Sequence, residues 1–206
     1  MFDQRMRVLI DPGLNRLARP LAARGWHADQ VTWMGFGIGL LAIPLLWLDW
    51  LWLALLCVLL NRLADGLDGA LARLSRPTDA GGFLDISLDF IFYQAVVLGF
   101  ALAFPEFLLP AIVLMFSFVW TGVTFLAFAV MAERHQIPSV AYPNKSIHYL
   151  GGLTEGTETI LFFVLIFIWP TYFPILAWMF AALCLLTGVI RLGYGYRTLR
   201  QIEARE

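Results

Sequence analysis

Apolar residues dominate most of the chain, and charged residues are concentrated in short stretches between the apolar runs. Six runs carry few or no charges, at 36–48, 51–60, 86–104, 107–132, 160–169 and 175–190. With their flanks, most of these runs reach the roughly 20 residues that a helix needs to cross a bilayer. The pattern predicts an all-α integral membrane protein with six transmembrane helices, at about 29–49, 51–74, 81–104, 108–133, 146–169 and 173–197.

Residues 1–25 follow a different pattern, in which apolar residues recur at near-helical spacing among five arginines. Asp11, Pro12 and Gly13 interrupt this pattern. We therefore expect a broken amphipathic helix that lies in the headgroup plane, and not a cleaved signal peptide. The alternative interpretation is an exposed basic tail.

The composition excludes an ordinary soluble domain, because 60% of the residues are hydrophobic and 14% are charged. Soluble domains contain roughly 45–50% apolar residues. The sequence has no internal repeat and no separate soluble region, so residues 1–206 are expected to form a single membrane domain, with a six-helix bundle at 29–197. Cys57 and Cys184 lie inside apolar runs and are expected to be packing residues. No nucleic-acid partner is expected.

The positions of the cations predict the orientation in the membrane. An even number of spans puts both termini on the same side. Apart from Arg62, every lysine and arginine then falls on that side, in the terminal segments, the 73–80 turn, the 134–148 connection or the adjoining helix ends. By the positive-inside rule, that side is the cytoplasm.

Four aspartates stand where hydrocarbon should be, at Asp65, Asp68, Asp85 and Asp89. An ionisable residue inside a spanning helix costs about 2.5–3.5 kcal/mol even on the gentlest insertion scale, so these four require compensation. Each pair projects from one helix face, and the short turn at 74–80 should bring both pairs into one cleft near the cytoplasmic end. Such a set of oxygen ligands suits two divalent cations, Mg²⁺ or Mn²⁺, about 3.5–4 Å apart.

Small residues and one arginine accompany the first aspartate pair. Gly66 and Gly69 each destabilise the helix by about 1 kcal/mol relative to alanine, so we expect them to have a role other than helix stability. They would let phosphates approach the backbone, with Ala72 keeping the same face shallow; the alternative is close helix packing. Arg73 can donate two hydrogen bonds to a diphosphate, or it can be a flanking charge of the positive-inside kind.

These residues resemble the signature of the CDP-alcohol phosphatidyltransferase family, D-x-x-D-G-x-x-A-R followed, after about eight residues, by G-x-x-x-D-x-x-x-D. The matching positions are Asp65, Asp68, Gly69, Ala72, Arg73, Gly81, Asp85 and Asp89. One departure concerns the turn, because only seven residues separate Arg73 from Gly81. The six-span layout and the N-terminal interfacial helix also resemble this family, and the synthase of phosphatidylglycerophosphate is its best-known bacterial member.

The resemblance implies attack by an alcohol on the β-phosphorus of CDP-diacylglycerol, with release of CMP. It also implies that Asp65, Asp68 and Asp85 are metal ligands, while Asp89 is the general base and contacts the second metal. Residues that would meet the cytidine diphosphate are Gly69, Ala72, Arg73 and Thr78, together with Asp29 and Thr32, which resemble an Asx-x-x-Thr segment of the family. Asp29 is equally suited to cap a helix N-terminus. The family further implies a homodimer in the bacterial inner membrane, with the active site facing the cytoplasm.

The acceptor alcohol is less clearly encoded. Lys145, the only lysine, could bind a phosphorylated acceptor or mark the cytoplasmic boundary. Glu155 and Glu158 could form ion pairs with Arg62 and Arg191, or hydrogen-bond to acceptor hydroxyls. The leading acceptor is glycerol 3-phosphate. Against it, a pocket for a phosphorylated acceptor would be expected to contain more than one cation, and few cations lie near this segment.

Three other functions fit parts of the sequence. Transfer of a phospho-head group from a CDP-activated alcohol to diacylglycerol would use the same aspartates. A transporter would use intramembrane acids, but it would be expected to place them near the midplane and to contain an inverted repeat. A noncatalytic scaffold would be expected to have lost an aspartate.

Overall fold

The computed structural model describes residues 2–137 and 152–204. This part of the chain is helical and contains no β-strand, so the all-α prediction is confirmed for it. The helices are α1 (Phe2–Ala23), α2 (Ala28–Leu40), α3 (Ala42–Trp47), α4 (Leu51–Leu74), α5 (Asp79–Ala103), α6 (Leu108–Arg134), α7 (Gly156–Ile168) and α8 (Phe173–Glu203), with short 3-10 turns at Pro105–Phe107 and Pro170–Tyr172.

The N-terminal helix α1 is continuous through Pro12, so the predicted break there is wrong. A proline inside a helix removes one backbone hydrogen bond, and the rest of the ladder can continue around it. Leu14 and Ala18 of α1 are buried in a small apolar cluster with Ala70 and Leu71 of α4. This contact sets α1 against the helix that carries the first aspartate pair.

The first predicted span is two helices, since the α-helical pattern is interrupted at Leu41 between α2 and α3. Pro44 explains this break, because it has no N–H with which to bond the carbonyl of the residue four positions earlier. Gly35 and Gly39 lie on the buried side of α2. A Cβ added to Gly39 would lie 2.6 Å from Phe92, so α2 packs closely on α5 there.

Aromatic side chains fill the centre of the bundle. The rings of Phe100 on α5 and Phe173 on α8 are stacked with centroids 4.9 Å apart, and those of Phe162 and Phe180 with centroids 4.6 Å apart. These contacts join α5, α7 and α8 into one core. Offset and stacked ring pairs add about 0.5–1.5 kcal/mol beyond the area that they bury.

Four helical segments of the described chain are long and apolar enough to cross a membrane, at Ala28–Trp47, Asp79–Ala103, Pro105–Arg134 and Pro170–Glu203. The helix α4 is also long, with 24 residues, but it carries Arg62, Asp65, Asp68 and Arg73. The predicted span at 146–169 starts outside the described residues, and α7 begins only at Gly156. The structure therefore supports a helical membrane protein with these four segments.

Candidate active site

The two aspartate pairs lie on α4 and α5, which are joined by a short turn. Thr78 begins α5 as its N-cap, because its Oγ1 accepts a hydrogen bond from the Gly81 N–H at 3.0 Å. The turn folds α5 back along α4. One carboxylate oxygen from each of Asp65, Asp68 and Asp85 then lies within 4.8 Å of the other two.

These carboxylates line a cleft between α2, α4 and α5. Asp89 lines the same cleft, although it is not in the close group of three. The other lining residues are Thr32, Gly35, Phe36, Asn61, Arg62 and Leu88. The lining includes no cysteine or histidine, so the atoms available to bind a metal ion are carboxylate oxygens, which hard cations prefer.

Thr32 reaches this cleft from α2. Its Oγ1 donates a hydrogen bond to Asp68 Oδ2 at 2.6 Å. The same hydroxyl also lies 3.0 Å from the Ala28 carbonyl oxygen, and its shorter contact restrains the Asp68 side chain. The structure places Thr32 beside Asp68 in the cleft, and the contact between Thr32 and the nucleotide stays a prediction.

Arg62 is a site residue that the sequence analysis did not assign. Its Nη2 lies 2.6 Å from Asp89 Oδ1, and its Nη1 lies 3.7 Å from Asp65 Oδ2. The predicted ion pair between Arg62 and the glutamates of the fifth span is therefore wrong. Two features of the sequence could have indicated the correct partners. Arg62 precedes Asp65 by three residues, and it is the one cation well inside a predicted span.

The glycines of the first motif have different surroundings. A Cβ added to Gly66 would lie 2.7 Å from Leu14 of α1, so Gly66 serves helix packing. A Cβ added to Gly69 would meet only Arg73 Nη1, at 3.5 Å, and half-buried Ala72 lies one turn farther along. The helix surface at Gly69 is thus open toward the Arg73 side chain.

Arg73 is partly exposed and is paired with Asp11 of α1, with 3.3 Å between Nη2 and Oδ1. The side chain therefore lies beside α1, and Arg73 is not one of the residues that line the aspartate cleft. In this position, its second guanidinium nitrogen remains near Gly69.

Asp29 and Thr78 both lie beside Gly81 near the start of α5. A Cβ added to Gly81 would lie 3.0 Å from Asp29 Oδ1 and 3.1 Å from Thr78 Oγ1, so only glycine leaves the present spacing undisturbed. The N-cap of α2 is His27, and Asp29 lies inside the first turn of the helix. The alternative role of Asp29 as an N-cap is therefore wrong.

Glu155 and Glu158 form the N-terminus of α7. Glu155 is the N-cap, and Glu158 Oε2 accepts a hydrogen bond from the Glu155 N–H at 3.1 Å. Glu155 Oε1 also accepts from the Gly152 N–H at 3.1 Å. The spacing of the two glutamates matches a capping box, a signal that the sequence analysis did not use. Lys145 lies outside the described residues.

The whole arrangement fits a divalent metal ion. Three carboxylates converge, one of them accepts a hydrogen bond from a threonine, and the buried Arg62 side chain lies 3.7 Å from another, Asp65. Carboxylate oxygens in such a group are the ligands that Mg²⁺ and Mn²⁺ prefer.

Comparison with known proteins agrees with this interpretation. A model of the CDP-alcohol phosphatidyltransferase family matches residues 26–190. The chain is 52% identical over 204 residues to the Escherichia coli (strain K12) protein named "Inner membrane protein YnjF", covering 98% of this chain and 99% of that protein. It is 34% identical over 99 residues to the archaetidylinositol phosphate synthase of Pyrococcus horikoshii, covering 48% of this chain and 53% of that protein.

Solved structures with the same fold come from the phosphatidylinositol phosphate synthase of Mycobacterium tuberculosis. The structure with CDP-DAG bound has a TM-score of 0.69 and 22% sequence identity, and covers 89% of this chain and 93% of that one. The structure in complex with manganese and citrate has a TM-score of 0.70 and 24% identity, and covers 89% of this chain and 88% of that one. Together with the family match over most of the sequence, the aspartate cleft leads to one conclusion: the chain belongs to the CDP-alcohol phosphatidyltransferase family.

Proposed function

We propose that this enzyme transfers a phosphatidyl group from CDP-diacylglycerol to the hydroxyl of a small alcohol and releases CMP. The observation that carries the proposal is the close group formed by Asp65, Asp68 and Asp85, with Asp89 in the same cleft. The donor is supported by the structural neighbour that was solved with CDP-DAG bound.

Asp65, Asp68, Asp85 and Asp89 would hold divalent cations, Mg²⁺ or Mn²⁺, and we propose that two ions bind, with Asp89 in contact with the second. When bound, such cations supply positive charge that stabilises the diphosphate oxygens as the bond to CMP breaks. Thr32 would keep Asp68 in its binding orientation through their hydrogen bond of 2.6 Å. A structural neighbour solved with manganese supports this choice of cation.

Asp89 would act as the general base. It would accept the proton of the acceptor hydroxyl while the hydroxyl oxygen forms a bond to the β-phosphorus of the donor. The bond between that phosphorus and the oxygen of CMP breaks, and CMP leaves with the electron pair. General-base assistance of this kind contributes about 10²–10⁴-fold to a rate.

Gly69, Ala72, Arg73, Thr78 and Asp29 would form the nucleotide side of the cleft. The open surface at Gly69 leaves room for a phosphate group beside the Arg73 guanidinium. Arginine is suited to this role because its planar fork can donate two parallel hydrogen bonds to phosphate oxygens. Asp29 and Thr78 lie together beyond this surface, beside Gly81 at the start of α5.

For the acceptor we retain glycerol 3-phosphate as a prediction. The relatives named archaetidylinositol phosphate synthase and phosphatidylinositol phosphate synthase favour an inositol phosphate as the second candidate. Both candidates are phosphorylated polyols, and Lys145 would be a contact for their phosphate. Glu155 and Glu158 would have to bind acceptor hydroxyls while also capping α7.

We further propose that the protein is a single-domain homodimer in a bacterial inner membrane, with six spans and both termini in the cytoplasm. The name of the 52% identical relative supports this location. The helix α4 would be one of the additional spans, because it packs against α2, α3 and α7. The cleft would then open toward the cytoplasm.

The experiment that tests the reaction is CMP release by purified protein in liposomes with CDP-diacylglycerol and Mg²⁺ or Mn²⁺. The acceptors are glycerol 3-phosphate, inositol phosphate, serine and glycerol, each tested with the wild type and with Asp89→Asn. We expect metal-dependent release with one acceptor and its loss in the variant. Release of CMP only from a CDP-activated alcohol plus diacylglycerol would instead indicate the exchanged-role reaction.

A further inference from the structure

A buried arginine lies within the candidate site and is held by hydrogen bonds to several groups. The Arg62 side chain is only 6% exposed, and its Nη2 donates to Asp89 Oδ1 at 2.6 Å. Its Nε and Nη2 also donate to Asn61 Oδ1, at 2.8 and 2.6 Å, and its Nη1 donates to the Tyr93 hydroxyl at 3.1 Å. A guanidinium with this many partners has a fixed position.

The surroundings of Arg62 strengthen this restraint. Asn61 is itself buried, and its Nδ2 donates to the Gly35 carbonyl of α2 at 3.0 Å. The rings of Phe92 and Tyr93 lie 4.8 and 5.1 Å from the central carbon of the guanidinium, within the range of cation–π attraction. Movement of Arg62 to solvent would therefore break contacts on α2, α4 and α5 at once.

The four aspartates divide into two groups around this cation. Asp65, Asp68 and Asp85 form the close group, and Asp89 lies outside it. Asp89 is the member with a direct hydrogen bond to Arg62, whereas Asp65 lies 3.7 Å from the guanidinium. One positive charge of the protein therefore already occupies the Asp89 oxygen that would otherwise be free to contact a metal ion.

We infer that Arg62 is a positioning residue that holds Asp89 for the acceptor and competes with divalent cations for that carboxylate. The inference rests on the proposed function and deepens it, because it gives the base carboxylate a charged partner within the protein. The guanidinium fixes one Asp89 oxygen and leaves the other for the acceptor hydroxyl. It also limits how tightly the four-carboxylate cleft binds cations.

A purely structural ion pair would have a different signature. Loss of a structural pair lowers stability and leaves metal binding unchanged or weaker, since the cleft becomes less ordered. Loss of the Arg62 charge instead strengthens metal binding, because it removes the repulsion between the guanidinium and the metal ion. Such repulsion near a protein surface amounts to a few kilocalories per mole at about 4 Å. Tighter metal binding together with slower turnover is therefore diagnostic of the inferred role.

The test is a titration of the purified, substrate-free protein with Mn²⁺, in which binding is monitored by electron paramagnetic resonance. Thermal unfolding is then measured with and without the ion. The variants are Arg62→Met and Arg62→Gln, which both remove the charge, and Arg62→Lys, which keeps it. Arg197→Met, on the exposed side of α8, removes one cation outside the cleft and is the matched control.

We expect Arg62→Met and Arg62→Gln to bind Mn²⁺ on the order of tenfold more tightly than the wild type. Their melting temperatures should rise more on addition of Mn²⁺, and their kcat should fall by about 10²-fold with little change in the KM of the donor. Arg62→Lys should keep a Mn²⁺ affinity within about threefold of the wild type and part of the turnover. Arg197→Met should resemble the wild type in every measurement.

A second comparison isolates the role of Asp89. In an Asp89→Asn background, Arg62→Met should strengthen Mn²⁺ binding much less, because the shared carboxylate is gone. An equal gain in both backgrounds would overturn the inference. It would also be overturned if the folded neutral variants bound Mn²⁺ no more tightly than the wild type, or if neither neutral variant folded even with Mn²⁺.

The Mn²⁺ titrations and the thermal unfolding need no acceptor and no turnover, so they remain decisive if the acceptor is misassigned. Absence of any Mn²⁺ binding by the wild type would count against the proposed function itself. Mn²⁺ binding with unchanged affinity in the neutral variants would count only against the role of Arg62.

Discussion

The aspartate cleft and the segment before α7 differ in how their polar groups are held together. In the cleft, Asp65, Asp68 and Asp85 come from two helices that are close in sequence, and a short turn brings them together. Before α7, the backbone N–H of Thr154 donates to Thr187 Oγ1 of α8, 33 residues away. A site built from neighbouring helices leaves a recognisable sequence motif, whereas a site built from distant contacts leaves little.

The largest expected effect on activity is that of removing one carboxylate of the close group. Asp85→Asn should lower kcat by about 10³-fold or more, because electrostatic stabilisation of a developing charge is commonly worth this much. The measurement is CMP release at saturating CDP-diacylglycerol and Mg²⁺.

Asp79→Asn is the matched control, since Asp79 is an exposed aspartate in the first turn of the same helix. Its kcat should stay within about threefold of the wild type, because a helix N-terminal charge is worth about 0.3–1 kcal/mol. Equal losses in both variants would mean that the close group has no special role.

Alanine substitutions at two glycines should have opposite effects on stability, which separates a functional role from a packing role. Gly69→Ala should stabilise α4 by up to about 1 kcal/mol while raising the KM of CDP-diacylglycerol on the order of tenfold, since the added methyl group projects toward the proposed phosphate position. Gly35→Ala should lower stability by about 1–3 kcal/mol, because its Cβ would overlap the Cβ of Ala64 across the α2 and α4 interface. Thermal unfolding and donor KM measure the two effects.

A stable Gly69→Ala protein with an unchanged donor KM would remove the nucleotide from this part of α4.

The capping glutamates should have a smaller effect. Glu158→Ala should lower stability by about 1 kcal/mol, because it leaves the Glu155 N–H without the Oε2 acceptor. Glu158→Gln keeps an acceptor oxygen and should recover most of this stability. If Glu158→Gln has normal thermal unfolding but a raised KM for the acceptor alcohol, then Glu158 contacts the acceptor in addition to capping α7.

Much of the fold and of the aspartate group could be predicted from local pattern alone. Apolar run length indicated the long helices, and spacing of three and four residues put each aspartate pair on one helix face. The break at Leu41 was missed because the span was drawn from apolarity without regard to Pro44. The contact between Arg62 and Asp89 was missed because it joins two helices in a register that spacing within one helix does not define.

The same limit applies to Asp11, which sequence analysis treated only as part of a helix break. The structure pairs it with Arg73 at 3.3 Å, with both side chains about two-fifths exposed. An exposed ion pair is worth about 0.2–1 kcal/mol, so Asp11→Asn should release Arg73 and lower the KM of CDP-diacylglycerol by only about two- to threefold at low salt. The difference should vanish at high ionic strength, because salt screens exposed charges. A higher KM in the variant would instead mean that α1 holds Arg73 in its binding position, which would extend the donor site beyond the local motif to the N-terminal helix.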